Sequence, residues 1–341
     1  MKKFIFRGAC FAAIALILLS VLNLLYVRTN GYKSLDGTYK FRTVPDGINV
    51  MNLGSSHGEF GLDYGGIDTV TGFNFGLRGQ SHYFDLQVLK EYGSKLAEGC
   101  VVLIPVSCVS LLQGIDPDQR ILYYRVLAHG SIPDHDAVEY IRFRLLPILT
   151  ASFNARYLIK DREDVDPDLF ACPGADEEFY IYNALYYYGL FEDLKKECAG
   201  SGYSVGILGE MIAFCRDNGF KPVLITTPFT NHYNYWYTAD DYSEFYAAIA
   251  CLTEEYGVPY LDYSHDPRFG ERLDLFGDSD HLNPAGRKMF TQILLADLGI
   301  THDAARDETG ACSTGKPAAR NPGPETDYPS SYLSGAFRGA T

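Results

Sequence analysis

The sequence predicts an α/β fold, a three-layer αβα sandwich on a central parallel sheet, preceded by one transmembrane helix. Three observations predict it. Short apolar runs bounded by Gly, Pro and Ser alternate with longer amphipathic stretches between residues 48 and 298, the pattern of parallel strands covered on both faces by helices. An uncharged run of twenty residues, Gly8 to Val27, comes before them. The chain of 341 residues is 47% hydrophobic, enough for a sizeable core without disulfide staples.

Taken in order, Gly8–Val27 matches at about 1.5 Å per helical residue the roughly 30 Å of a bilayer core. Lys2, Lys3 and Arg7 precede it and only Arg28 follows closely, which leaves the N-terminus in the cytoplasm and everything after residue 28 outside. A cleaved signal peptide is the competing reading. It needs an apolar region of about 7–15 residues and a small-x-small site, whereas this run is longer and ends in Leu24-Leu25-Tyr26-Val27. Residues 1–27 are therefore read as a signal anchor and 28–46 as a stalk.

The expected domain spans 47–302. Ile48–Leu53 is a first strand, Thr69–Phe75 a second, and Ser81–Ala97 an amphipathic helix with a serine at its start. Val101–Val106 is a third strand, residues 205–219 a helix, and Pro222–Thr226 a fourth strand. Tyr242–Tyr256 is a helix, Pro259–Asp262 a fifth strand, and Pro284–Leu298 a last helix with Asn283 as N-cap and Pro284 at its first position. Residues 109–203, rich in Tyr and Leu, interrupt the alternation and are read as a mostly helical insertion, with the tyrosines at 180–188 in its core. Residues 303–341 have few large aliphatics and are read as a disordered tail.

The formal net charge is −14, and it is unevenly spread. Residues 1–27 hold three bases and no acid, so the remainder, with 26 basic and 43 acidic residues, carries −17. That balance excludes a general nucleic-acid binder, which needs a basic footprint for phosphates. Seven cysteines beyond Cys10 stand at irregular spacings without a CxxC pair, so neither a disulfide framework nor a zinc site is indicated. Most are read as small buried hydrophobes.

Two segments carry candidate chemistry. The first strand ends in Gly54-Ser55-Ser56-His57-Gly58-Glu59, and Asp278-Ser279-Asp280-His281-Leu282-Asn283 stands before the last helix. Loops at the carboxyl ends of parallel strands line the ligand crevice of an open α/β sheet. A serine hydroxyl is a poor nucleophile until a base takes its proton, and a carboxylate fixes the tautomer of an imidazole base. Asp278-x-x-His281 supplies both from one turn. Alone, Ser56-x-x-Glu59 reads as a capping box and Asn283-Pro284 as an ordinary helix start; their joint occurrence favours a site.

These residues resemble the SGNH (GDSL-type) hydrolase superfamily. Leu53-Gly54-Ser55-Ser56 stands where that family has Gly-Asp-Ser, with Ser56 as nucleophile. In Asn74-Phe75-Gly76-Leu77-Arg78-Gly79-Gln80, Gly79 matches the oxyanion-hole glycine, and Asp278-x-x-His281 matches the catalytic Asp-x-x-His. Ser55 replaces the usual aspartate. Pro105-Val106-Ser107-Cys108 stands where an oxyanion-hole asparagine is expected, with Ser107 in its place. The Gly-Ser-Ser block with an anchor is similar to the envelope branch that includes the D-alanyl transfer and alginate acetylation proteins. The resemblance implies a flavodoxin-like sheet and an extracytoplasmic, membrane-anchored serine esterase or O-acyltransferase acting on acyl esters of envelope polysaccharide. Ser56, His281 and Asp278 would form the triad, with the oxyanion held by Ser56, Gly79 and Ser107. The partners it implies are an acylated envelope glycan or polymer and a membrane-bound acyltransferase. The alternative is a catalytically silent module of the same fold that binds glycan or scaffolds such an acyltransferase.

Gly54-x-Ser56-x-Gly58 also fits the nucleophile elbow of α/β-hydrolases, which however place several strands before the elbow and keep acid and histidine on separate loops. Asp274, Asp278, Asp280 and His281 form an acidic loop of a kind common before helices, and no metal or cofactor is expected. His57 and Trp236 are candidate substrate-lining residues, with a plain loop residue and lid packing as the respective alternatives.

Overall fold

Five short β-branched and apolar segments pair in parallel in the order β2-β1-β3-β4-β5. They are β1 (Ile48–Asn52), β2 (Gly72–Asn74), β3 (Leu96–Pro105), β4 (Lys221–Thr226) and β5 (Tyr260–Asp262). The computed structural model describes residues 1–35, 37–114, 120–163, 170–174, 176–197 and 202–301. The expected tail at 303–341, with Cys312, and Cys198 lie outside them.

Contacts divide the chain into two units, one of Met1–Val44 with Asp116–Asp168 and one of Pro45–Ile115 with the rest from Leu169. In the first, α1 (Lys2–Tyr26) is long and apolar enough to cross a membrane. It exposes Phe4, Phe11, Ile17 and Leu24, and the side chains it buries are Asn23 and Tyr26. Asn30–Lys33 and Thr38–Thr43 form short helical turns in which Tyr32 and Phe41 are buried. Tyr26, Tyr32 and Ala151 pack with Val27, Ile148 and Leu158, and Asp161 accepts the Asn30 and Gly31 N–H groups at 2.8 and 2.9 Å.

The second unit holds the sheet, with helices on both sides, as the alternation predicts. Side chains alternate along a strand. Val50, Leu103, Val223 and Ile225 face α6 (Pro284–Asp297), whose Phe290, Leu294 and Leu295 are fully buried against them. Asn283 caps α6, its side chain accepting the Gly286 N–H. Met51, Val102, Ile104 and Leu224, also buried, take the opposite parity. That side carries α2 (His82–Tyr92), α4 (Gly202–Asp217) and α5 (Ala239–Tyr256), which pack on one another. Between β3 and α4 stands α3 (Glu177–Glu197).

Boundaries differ from expectation where backbone geometry overrides side-chain pattern. The helix expected to Ala97 ends at Tyr92, and Leu96–Gly99 belong to β3, which bends at Gly99 (φ +73°) where the β1 register shifts. β2 keeps three paired residues of the seven expected, because a turn from Ile67 to Val70 leads into it. Among the six described free cysteines, Cys100 and Cys215 are buried and Cys10, Cys172 and Cys251 are exposed, so burial accounts for fewer than expected.

One glycine fixes where β1 releases the chain. Gly54 has φ +106°, and a Cβ there would lie 2.8 Å from Pro105 Cγ. Gly54→Ala is expected to lower the stability of the detergent-solubilised chain by more than ~1 kcal/mol, read from urea unfolding midpoints, since neither the conformation nor the space suits alanine.

Candidate functional site

The loop after β1 begins at a buried polar scaffold. Asn52 and Asn74, register partners on β1 and β2, are hydrogen-bonded to each other at 3.0 Å. Asn52 Nδ2 also donates to the Gly58 carbonyl, and Asn74 Nδ2 donates to the carbonyls of Gly58, Glu59 and Leu62. These bonds hold the helical turn Ser56–Glu59 against the sheet edge. Ser55, not Ser56, is its N-cap residue, and Glu59 accepts the Arg78 N–H at 2.8 Å. The capping-box reading of Ser56-x-x-Glu59 is thereby corrected: Glu59 pins the loop of Gly79 to the turn of Ser56.

The second segment is a tight turn closed by Gly277 N–H donating to the His281 carbonyl, with Phe276 and Leu282 bridged. Asn183 Oδ1 on α3 accepts from the Ser279 N–H and hydroxyl, and Thr230 donates to the Ser279 carbonyl. The two segments meet. His281 Nε2 lies 2.8 Å from Ser56 Oγ, and His281 Nδ1 lies 3.0 Å from both Asp278 carboxylate oxygens. Asp278 further accepts the backbone N–H groups of His281 and Asp280 and the Tyr187 hydroxyl. Phe170 stacks flat on the His281 ring at 4.5 Å.

A second carboxylate shares this pocket. Asp280 Oδ2 is 2.9 Å from His57 Nε2 and its Oδ1 is 3.1 Å from His281 Nδ1. Asp278, Asp280 and His281 are each 3 or 4% exposed. Burial by itself would discharge Asp280 and His281, and the attraction between them outweighs it. The imidazole of His281 is raised well above its ordinary value because the charges of Asp280 and Asp278 overcome its desolvation. The Asp280 carboxyl is held below the usual range because His281 and His57 overcome its own.

Ser56 and Gly79 N–H groups donate to no protein acceptor among the described residues. The Gly79 peptide is fixed by its φ of +68° and by Gln113 Nε2, which donates to its carbonyl at 2.8 Å. Ser107 caps the N-terminus of the turn Cys108–Leu112, its hydroxyl accepting from Ser110 N–H while its own N–H donates to Ser110 Oγ. Trp236 packs with Phe229, Tyr233 and Tyr237 against α3 and stacks on Tyr188. Asp274 pairs with Arg272 at the surface, apart from the acidic pair it was grouped with. His57, Asp280 and His281 offer metal-ligating atoms within 4.8 Å of one another, and His57 Nε2, Asp280 Oδ2 and both His281 nitrogens also make the hydrogen bonds given above.

Sequence reasoning missed the contribution of α3. Tyr180, Asn183 and Tyr187 recur at three- and four-residue steps and all bond to the segment 273–279, while Tyr182 and Tyr186 are exposed. The expected tyrosine core at 180–188 is thus two-faced, and its helical period was the available signal.

No protein-family model matches the chain, and no curated protein matches it. Among solved structures it is similar to a protein from Bacteroides fragilis NCTC 9343 described as an acylhydrolase, at 11% identity and a TM-score of 0.36, covering 77% of this chain and 93% of that one. It is similar also to a GDSL-like lipase from Bacteroides thetaiotaomicron VPI-5482 (12%, 0.33, 74% and 86%). A third, from Parabacteroides merdae ATCC 43184 and described as a GDSL-like lipase, gives 10%, 0.34, 76% and 99%.

Behind the loop after β1 lies a third buried carboxyl. Asp85 Oδ1 accepts the Gly54 N–H and the Gln80 side-chain amide, both at 2.7 Å. Burial, only partly offset by those bonds, pushes it up to about 7. A raised carboxyl binds its proton more tightly folded than unfolded, so this group withdraws stability as pH rises from its ordinary range toward 7. Asp85→Asn is therefore expected to gain stability relative to the native chain as pH goes from 5 to 8, measured as the difference between their urea midpoints.

Proposed function

We propose that this chain is an SGNH-type serine acyl esterase or O-acyltransferase, anchored by α1 with its sheet domain outside the membrane, that acts on acyl esters of envelope polysaccharide. The observation that carries the reading is the continuous hydrogen-bonded line from Ser56 Oγ through His281 to Asp278. In this reading His281 Nε2 takes the Ser56 proton as Oγ attacks the ester carbonyl. The tetrahedral oxyanion is met by the Ser56 and Gly79 N–H groups, one such donor being worth ~3 kcal/mol. Collapse expels the alcohol, which receives the proton from His281 and leaves an acylated Ser56. Water, or a sugar hydroxyl, then gives its proton to His281 and attacks the acyl carbon, releasing acid or transferred ester and restoring Ser56.

An acidic sheet domain supports neutral glycans over polyanions as acceptors. The second reading, a silent module of the same fold, draws on the engagement of Ser107 Oγ as a helix cap, which ties that hydroxyl oxygen to the Ser110 N–H.

Labelling decides between them. A serine-reactive fluorophosphonate is expected to modify the full chain and to fail with Ser56→Ala; an unlabelled native chain, or labelling that survives the substitution, sinks the triad. Two carboxylate variants then separate the acids. Asp278→Asn is expected to lower kcat/KM for ester release by about 10³–10⁴, as loss of the tautomer-fixing acid does elsewhere. Asp280→Asn removes a charge that raises the base, so less alkali is needed to neutralise His281 and the ascending limb of the pH–kcat/KM profile should move to lower pH.

A further inference from the structure

Asn23 stands three positions before the end of α1, in the uncharged run that starts at Gly8, and both ends of its amide are used. Its Nδ2 donates to the Leu145 carbonyl and its Oδ1 accepts the Ile148 N–H, each at 3.1 Å. At 1.5 Å per residue this puts the backbone of Leu145–Ile148 about 5 Å below the end of the helix. If the apolar run Gly8–Val27 fills the bilayer core, that depth lies just inside the boundary between headgroups and acyl chains, among the upper acyl carbons.

The same segment exposes large apolar side chains. Ile141, Leu145, Leu149 and Phe153 recur at every fourth residue and are all exposed, Leu145 at 54% and Phe153 at 72%. Arg142 and Arg144 between them, and Arg156 three residues beyond, are exposed too, with the Arg156 guanidinium 4.0 Å over the Phe153 ring. Apolar side chains interleaved with arginines are the composition of a surface that sits in the headgroup layer, chains inward and cations at the phosphates.

We propose that residues 141–153 form a bilayer-docking surface that lies on the membrane beside the emerging α1 and takes phospholipid, its apolar side chains among the upper acyl carbons and its arginines on lipid phosphate. The proposal rests on the anchored reading of α1. Its occupant follows from the Asn23 hydrogen bonds, which fix the depth of the segment on the helix.

The full chain, reconstituted in phosphatidylcholine–phosphatidylglycerol vesicles with Trp236→Phe as background, tests it. Leu149→Trp and Phe153→Trp report the surface and Leu16→Trp reports the helix. Leu149→Trp and Phe153→Trp should lose most of their emission to lipids brominated near the headgroup and much less to lipids brominated near the chain end. Leu16→Trp should show the reverse. Quenching of Leu16→Trp with none at 149 or 153 overturns the docking surface and leaves the anchor standing. No quenching at any of the three sinks the anchor and the proposal with it. Protection of 149 and 153 from aqueous acrylamide without quenching by brominated lipid would mean that a second copy or another stretch of this chain covers the surface, which also overturns it.

Discussion

Asp278 and Asp280 are withdrawn almost completely from water, and a carboxylate so placed persists only when donors and cations surround it. Much of the site is arranged around that constraint. Asp278 is met by two backbone N–H groups, an imidazole and a tyrosine hydroxyl. Asp280 is met by two imidazoles. The turn that presents them is held from α3 by Asn183 and from the loop after β4 by Thr230. Stranding one partner of a buried pair of this kind costs about 3–5 kcal/mol, so the constellation holds its own geometry as strongly as it would hold a substrate.

Asp85 shows what happens when the compensation is partial. It receives two neutral donors at Oδ1, while its Oδ2 is buried without a partner. Its carboxyl accordingly moves up, whereas Asp280, facing two groups that can carry charge, moves down. The difference is functional as well as electrostatic. A carboxyl that need not ionise suits a fixed clamp between Gly54 and Gln80, and a carboxylate that must ionise suits a place beside a base.

The parallel sheet was legible because its strands are apolar on both faces and its helices keep a 3.6-residue period. Ser56, His281 and Asp278 were legible because their residue types and the spacing of one turn limit what chemistry they can perform. Strand ends were less so: Leu96–Gly99 carries a helical composition yet pairs with β1, since register is a property of two segments and no local pattern encodes it. The cap formed by Ser107 was hidden for a related reason. A serine after a strand is equally suited to donate toward a ligand or to cap the next turn, and Ser110 three residues on decided for the cap. His57 and Asp280 were visible as residues, but their bond joins positions 223 residues apart and only the assembled fold reveals it.

That bond has a geometric consequence. His57 directly follows Ser56, and Asp280 directly precedes His281. Ser56–His281 and His57–Asp280 are therefore two adjacent rungs, at 2.8 and 2.9 Å, between the same two loops. A single hydrogen bond leaves two loops free to pivot about it; two rungs one residue apart do not. The Ser56–His281 distance is thus fixed by a neighbouring hydrogen bond that does not involve the serine, and the imidazole rings of His57 and His281, 5.0 Å apart, fill the space between the rungs. Rotating Ser56 away from His281 requires parting His57 from a buried carboxyl. Asp280 therefore does two things through its two oxygens: Oδ2 clamps the loops through His57, and Oδ1 faces His281 and raises its imidazole.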